Sequence, residues 1–159
     1  DCFANGFDLN ALNACAAAQN ACVLMKPHAN TIIDKSVEYS NLIFLDSNVD
    51  MYCILPHTHV LITDYSSILY DYILMPNKHV ILFHYDYEEY VNSREFIFDI
   101  QDNIVGRKVY TFDELIQVIS TNDYTMDIPA RQKILNKFWG ETSNKNSCEL
   151  VFEKLRLLD

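Results

Sequence analysis

The sequence predicts an α/β fold, a parallel, doubly wound sheet flanked by helices. Three observations point there. Short apolar runs alternate with amphipathic stretches of helical period. The runs are apolar without alternation, as in strands covered on both faces. The stretches between them are short, as in α/β proteins. The right-handed crossover rule then sets all strand C-termini on one edge of the sheet. Open α/β sheets bind ligands outside that edge.

Each element has its own signal. Phe7 to Asn20 reads as a helix, with Asp8 as cap and Leu9, Leu12 and Ala16 at helical spacing. Cys22 to Met25 is a short buried strand that Pro27 ends. Leu42 to Leu45 is a second strand. Val49 to Leu55 fits a short helix with Met51, Ile54 and Leu55 on its apolar side, ended by Pro56. Val60 to Thr63 is a third strand, apolar on both faces. Ser66 to Met75 is a helix with Ile68, Leu69, Tyr72 and Ile73 as its buried stripe. His79 to Phe83 is a fourth strand. Tyr85 to Tyr90 is acidic and aromatic, too polar for a core, and Phe96 to Phe98 reads as extended. A last short strand spans Gly106 to Tyr110. Thr111 and Glu114 form a capping box before Leu115, Ile116, Val118 and Ile119. Ile128 to Phe138 and Cys148 to Leu158 read as closing helices, with Asn144 to Ser147 as the cap of the second.

The 159 residues suit one domain, or one lobe of a larger protein. A formal net charge of -10 argues against a nucleic-acid partner, which needs a basic stripe. It leaves room for a nucleotide pocket, because backbone N–H groups and a few hydroxyls can hold phosphates locally. The five cysteines are odd in number and lack any CxxC, so they read as free thiols, mostly core filler, in a reducing compartment. No apolar run reaches transmembrane length and no signal peptide heads the chain. The chain opens on Asp1, and a fragment of a longer protein is expected.

The candidate site is the turn Thr63-Asp64-Tyr65-Ser66-Ser67. It falls where a parallel strand ends and a helix begins. Ser66, Ser67 and the first free N–H groups there can grip a diphosphate. The plainer account makes Ser66 an N-cap, and the pair alone favours that. Asp64 repels a phosphate, so ordering the turn is its favoured role, with a metal as the alternative. Asp71, one turn on, is expected to support the loop. His28 after Lys26-Pro27 suits general acid–base work or a phosphate hydrogen bond, with Lys26 adding charge. Taken singly it is a surface histidine. Glu88 and Glu89 suit ribose hydroxyls, or else a solvated helix start. Arg94 suits phosphate neutralisation, or else a surface ion pair. His57, His59, His79 and His84 lack a strong metal spacing, and no metal is expected.

These motifs together resemble one family. Lys26-Pro27-His28, Leu61 to Ser67, Tyr70-Asp71-Tyr72, Tyr85 to Tyr90, Arg94 and Phe98-Asp99 are similar to the C-terminal lobe of the CDP-glycerol glycerophosphotransferases, the teichoic-acid and capsule polymerase type. The resemblance runs from about Phe7 to the closing helices. It implies a GT-B architecture, two Rossmann-like lobes with this one binding the nucleotide donor. It implies transfer of glycerol phosphate, or a related polyol or sugar phosphate, from a CDP-linked donor to a growing cell-surface polymer, with no further cofactor. It implies that His28 serves catalysis or steadies the donor diphosphate. Thr63, Ser66, Ser67, Arg94 and Lys26 would hold that diphosphate, and Asp86, Glu88 and Glu89 the rest of the donor. Asp64 and Asp71 would support the site.

The departures bear on the substrate. Ala29 follows His28 where the family has Pro, Lys26 stands near a usual arginine, and Glu95 replaces a common glycine. The family's other essential histidine, in a His-Gly-Thr-type motif of the N-terminal lobe, has no counterpart in these residues. The acceptor lobe and the first strand are therefore expected to be absent here, and the acceptor polymer to bind through the missing lobe. The expected place is the cytoplasm, with peripheral attachment to the inner face of the membrane. Two alternatives stay open: a GT-B transferase using another nucleotide sugar, and a non-catalytic receiver-like module built on Asp64.

Overall fold

The computed structural model describes residues 6–27, 37–93, 101–140 and 146–156. Helix α1 spans Leu9–Ala18 and strand β1 Val23–Met25. Strand β2 is Leu42–Phe44 and β3 Val60–Thr63. Helix α2 is Ile68–Tyr72, β4 His79–Phe83, α3 Tyr87–Ser93 and β5 Arg107–Val109. Helices α4 (Phe112–Thr121), α5 (Ile128–Phe138) and α6 (Ser147–Arg156) follow. All strand pairs are parallel, and the hydrogen bonding divides into a β1-β2 pair and a β3-β4-β5 sheet. The predicted α/β class with helix-flanked parallel strands is observed.

Strand β4 organises the core, because it is the middle strand. Its side chains alternate between two apolar clusters, as the strand period requires. Val80 and Leu82 join Leu55, Leu69, Tyr72, Ile73, Ile134 and Leu135 on the α2 and α5 side. Ile81 and Phe83 join Val109, Leu115 and Val118 on the α4 side. Each fully buried aliphatic side chain there contributes about 1.5–3 kcal/mol. Strand β3, expected to be covered on both faces, is only half-buried along its length, since it lies at the sheet margin. Gly106, entering β5, must be glycine on two counts. Its φ is +148°, and an added Cβ would meet the Val80 Cγ1 and carbonyl oxygen at 2.9 Å.

Local chemistry sets the helix ends. Asp8 Oδ1 accepts from Asn10 and Ala11 N–H at 2.8 and 3.2 Å. Thr111 and Glu114 form the predicted capping box, and the Asp127 carboxylate caps α5. Asn146 caps α6 by accepting from Cys148 N–H at 2.9 Å. Helix α2 is closed by a residue distant in sequence. Arg131 Nε donates to the Ile73 carbonyl at 2.7 Å, and the guanidinium also reaches Leu74 and Met75 carbonyls. A cation on orphan carbonyls satisfies both hydrogen bonding and the local dipole.

Three further expectations change. Val49 to Leu55 is not one helix but 3-10 turns at Met51–Cys53 and Leu55–His57, with Pro56 inside the second. Proline lacks an N–H but fits the first turn of a helix, so it starts a turn instead of ending one. The helix expected from Ser66 to Met75 is regular only over Ile68–Tyr72. The cysteines are not mostly core filler: of those described, Cys15 is buried and Cys22, Cys53 and Cys148 are exposed. The expected extended run at Phe96 to Phe98 lies outside the described residues. No helix of the described residues is long and apolar enough to cross a membrane.

Candidate functional site

Strands β3 and β4 are parallel neighbours, with Thr63 opposite Leu82. The turn after β3 and the segment after β4 therefore leave the same edge side by side. In the turn, Thr63 and Tyr65 are half-buried, and Asp64, Ser66 and Ser67 are exposed. Ser67 takes the N-cap position of α2 without a side-chain cap bond. Ser66 Oγ accepts from Ile68 N–H at 3.4 Å, near the limit of a hydrogen bond. Capping thus engages these hydroxyls weakly. With five residues, α2 has little dipole to offer, so an anion here would depend on hydroxyls and N–H groups.

Aromatic rings fill the space between the two segments. Tyr65 stacks on Tyr90 with centroids 3.7 Å apart and on His84 at 4.7 Å. His84 stacks in turn on Tyr87 at 5.8 Å, and Tyr110 meets it edge-on. The Tyr65 hydroxyl donates to Asp86 Oδ1 at 3.2 Å. Burial, then the charge and hydrogen bond of Asp86, push that phenol far above its ordinary range, so it stays a donor. Sequence reasoning placed Tyr65 inside the candidate turn and weighed His84 only as a metal ligand, and foresaw the stack of neither. The available signal was tyrosine at 65, 85, 87 and 90 flanking two strand ends.

The other predicted residues are placed as follows. Asp86 is half-buried and holds Tyr65; Glu88 and Glu89 are exposed on the first turn of α3. Asp71 accepts from the Tyr52 hydroxyl at 2.8 Å, which raises the Tyr52 phenol by that bond and by the carboxylate charge. Lys26 Nζ donates to the Val49 carbonyl at 2.7 Å, tying the end of β1 to the loop after β2. His28 and Arg94 lie outside the described residues. The structure thus joins Thr63 to Ser67 with His84 to Tyr90, and anchors Lys26 to a different loop. Among the described residues no three His, Cys, Asp or Glu side chains group as metal ligands.

The histidines fall at opposite ends of β4. His79, its first residue, packs edge-on against His59 at 4.8 Å and accepts from Met126 N–H through Nδ1 at 3.2 Å. His84 follows its last residue and is 1% exposed, and among the described residues neither ring nitrogen has a partner in full hydrogen-bond geometry, the Asp64 backbone interacting with the ring more weakly. Burial lowers both pKa values; His59 adds to the effect on His79 and Lys108 to that on His84. The Tyr124 backbone opposes the shift of His79, and the Asp64 backbone with the charges of Asp64 and Asp86 opposes that of His84. Depressed histidines make the unfolded chain bind more protons than the folded one. Their contribution is fully present above the unfolded value of about 6.5 and is lost as pH falls below it toward the folded values. Urea denaturation is expected to show stability falling from pH 7.5 to 5.5, with a shallower slope in His84→Phe. A flat profile over that window would refute the assignment.

A separate recess of about 300 Å³ lies between β5 and α4. Three of its polar lining residues are committed locally: Arg107 pairs with Asp123 at 2.9 Å, and Glu114 serves the capping box.

Fold and edge place the chain among the helix-covered parallel α/β lobes, which take ligands outside the carboxyl ends of their strands. Sequence comparison makes the assignment particular. The chain belongs to the CDP-Glycerol:Poly(glycerophosphate) glycerophosphotransferase family, whose model matches residues 2–156. It is 41% identical over 70 residues to a teichoic acid poly(ribitol-phosphate) polymerase of Bacillus spizizenii, covering 44% of this chain and 11% of that one. It is 29% identical over 142 residues to the teichoic acid ribitol-phosphate polymerase TarK of Staphylococcus aureus, covering 86% of this chain and 27% of that one. The teichoic acid glycerol-phosphate primase of Bacillus subtilis is 29% identical over 128 residues, covering 80% of this chain and 32% of that one. The chain thus spans a third or less of the length of these relatives.

Proposed function

We propose that this chain is the nucleotide-donor lobe of a two-lobed GT-B transferase that builds a cell-surface polymer. The complete protein moves glycerol phosphate, or a related polyol or sugar phosphate, from a CDP-linked donor to the growing chain. The relatives named as ribitol-phosphate polymerases favour ribitol phosphate as one such group. The observation that carries the proposal is the exposed Ser66-Ser67 pair. It lies at the strand-end edge beside the Asp86 to Glu89 segment, in a chain matched by the family over residues 2–156.

In this mechanism an acceptor hydroxyl attacks the donor phosphorus. The new P–O bond forms as the bond to the leaving nucleotide breaks. Ser66, Ser67 and the adjacent N–H groups, with Thr63, Lys26 and Arg94, hold the diphosphate and the charge that develops on it. His28 takes the acceptor proton or steadies the diphosphate. Asp86, Glu88 and Glu89 meet the ribose or polyol hydroxyls, and Asp64 and Asp71 order the turn and helix behind it. No metal or further cofactor enters the scheme. The acceptor enters from the second lobe, and the protein works at the inner face of the membrane.

Calorimetry on the complete protein tests donor binding. CDP is expected to bind, and Ser66→Ala/Ser67→Ala to weaken it about tenfold or more, as for hydrogen bonds to a charged group. A folded protein that binds no cytidine nucleotide at millimolar concentration would defeat the proposal.

A further inference from the structure

We propose that Tyr65 is a positioning residue that couples the Thr63 to Ser67 turn to α3, so that two walls of the site keep one geometry. The coupling itself follows from contacts; its consequence for the donor rests on the proposed function.

Tyr65 lies between Asp64 and Ser66, inside the candidate phosphate turn. Its ring belongs to neither apolar cluster of the core. It is instead the second member of a four-ring column, Tyr90, Tyr65, His84 and Tyr87. The interplanar angles along it are 16°, 17° and 19°. Its hydroxyl adds a bond to Asp86. One side chain of the turn therefore touches three residues of the facing segment, by two ring faces and one polar tip. Tyr65 cannot shift without disturbing them, and the adjacent Ser66 moves with its backbone.

The column also explains an oddity. A buried imidazole whose only polar neighbour is the weakly interacting Asp64 backbone is unfavourable unless its ring contributes otherwise. His84 contributes as a flat spacer between Tyr65 and Tyr87, with Tyr110 closing its edge. On this account His84→Phe keeps the coupling, because the stack needs a ring and no hydrogen bond.

The test uses the complete protein and two readouts. Hydrogen exchange across residues 84–93 reports the coupling, and calorimetry with CDP reports its consequence. Tyr65→Leu is expected to speed exchange there and weaken CDP about tenfold, the effect of losing two ring pairs and a hydrogen bond. Tyr65→Phe keeps the stack but loses the bond to the Asp86 carboxylate, and is expected to weaken CDP less than Tyr65→Leu does. In transfer assays the Tyr65→Leu effect should fall on the donor KM more than on kcat. If Tyr65→Leu does not fold, Tyr90→Leu removes the outer ring and is read the same way. Unchanged exchange in the leucine variant, or loss of coupling in His84→Phe, overturns the proposal. Faster exchange with unchanged CDP affinity overturns the positioning role. A wild-type protein that binds no CDP defeats the donor reading instead, and the exchange arm still decides the coupling.

Discussion

His28→Ala in the complete protein is expected to lower kcat/KM for transfer by about 10²- to 10⁴-fold, the range of general acid–base catalysis. The argument is positional and chemical. Lys26-Pro27-His28 follows directly on β1 in sequence, and β1, whose partner β2 runs parallel to it, ends at Met25. Imidazole ordinarily changes charge near neutral pH, so it can accept an acceptor proton where a serine or lysine would not. The Lys26 ammonium is held on the Val49 carbonyl, beside the loop after β2. Steady-state rates with a matched far-UV spectrum measure the effect. Activity within about threefold of wild type would remove His28 from acid–base chemistry altogether, given that range.

Tyr72→Ala is expected to destabilise the chain by about 3–5 kcal/mol, the usual cost of emptying a large buried aromatic site. Tyr72 is fully buried, in contact with the apolar cluster around Val80 and Leu82. It also has a polar task. Thr58 Oγ1 donates to the Leu55 carbonyl at 2.9 Å, so the Tyr72 hydroxyl, 3.0 Å from the same oxygen, is the donor to it. Lys78 stands over the ring and donates to the Pro56 and Thr58 carbonyls. One side chain thus pins α2 to the turn at Leu55–His57. Tyr72→Phe keeps the volume and is expected to cost about 1 kcal/mol, the net worth of one hydrogen bond. Urea midpoints compare the three proteins. A loss below about 1 kcal/mol for the alanine variant, under the range of such substitutions, would refute this packing role.

Elements whose signal is local were legible. The Thr111 and Glu114 box names its own helix start, because both partners lie within one turn. The stripe Leu69, Tyr72 and Ile73 was legible because burial follows helical period. Strand β4 was legible over His79–Phe83 because a middle strand is apolar throughout. The turn at Leu55–His57 was not, because proline is compatible with both starting and ending a helix. The role of Arg131 was not, because nothing near it in sequence marks the α2 carbonyls it meets.

The site divides along the same line. Thr63 to Ser67 was legible from the strand-to-helix junction, and the acidic segment from its composition. The sequence alone determined that these two stretches end parallel strands, since that depends on pattern and handedness. Only the tertiary structure decided that Tyr65 spans them, stacked between His84 and Tyr90 and hydrogen-bonded to Asp86. Ring stacking across a strand-end gap depends on register and on side-chain direction. Neither is carried by a residue's neighbours in the chain.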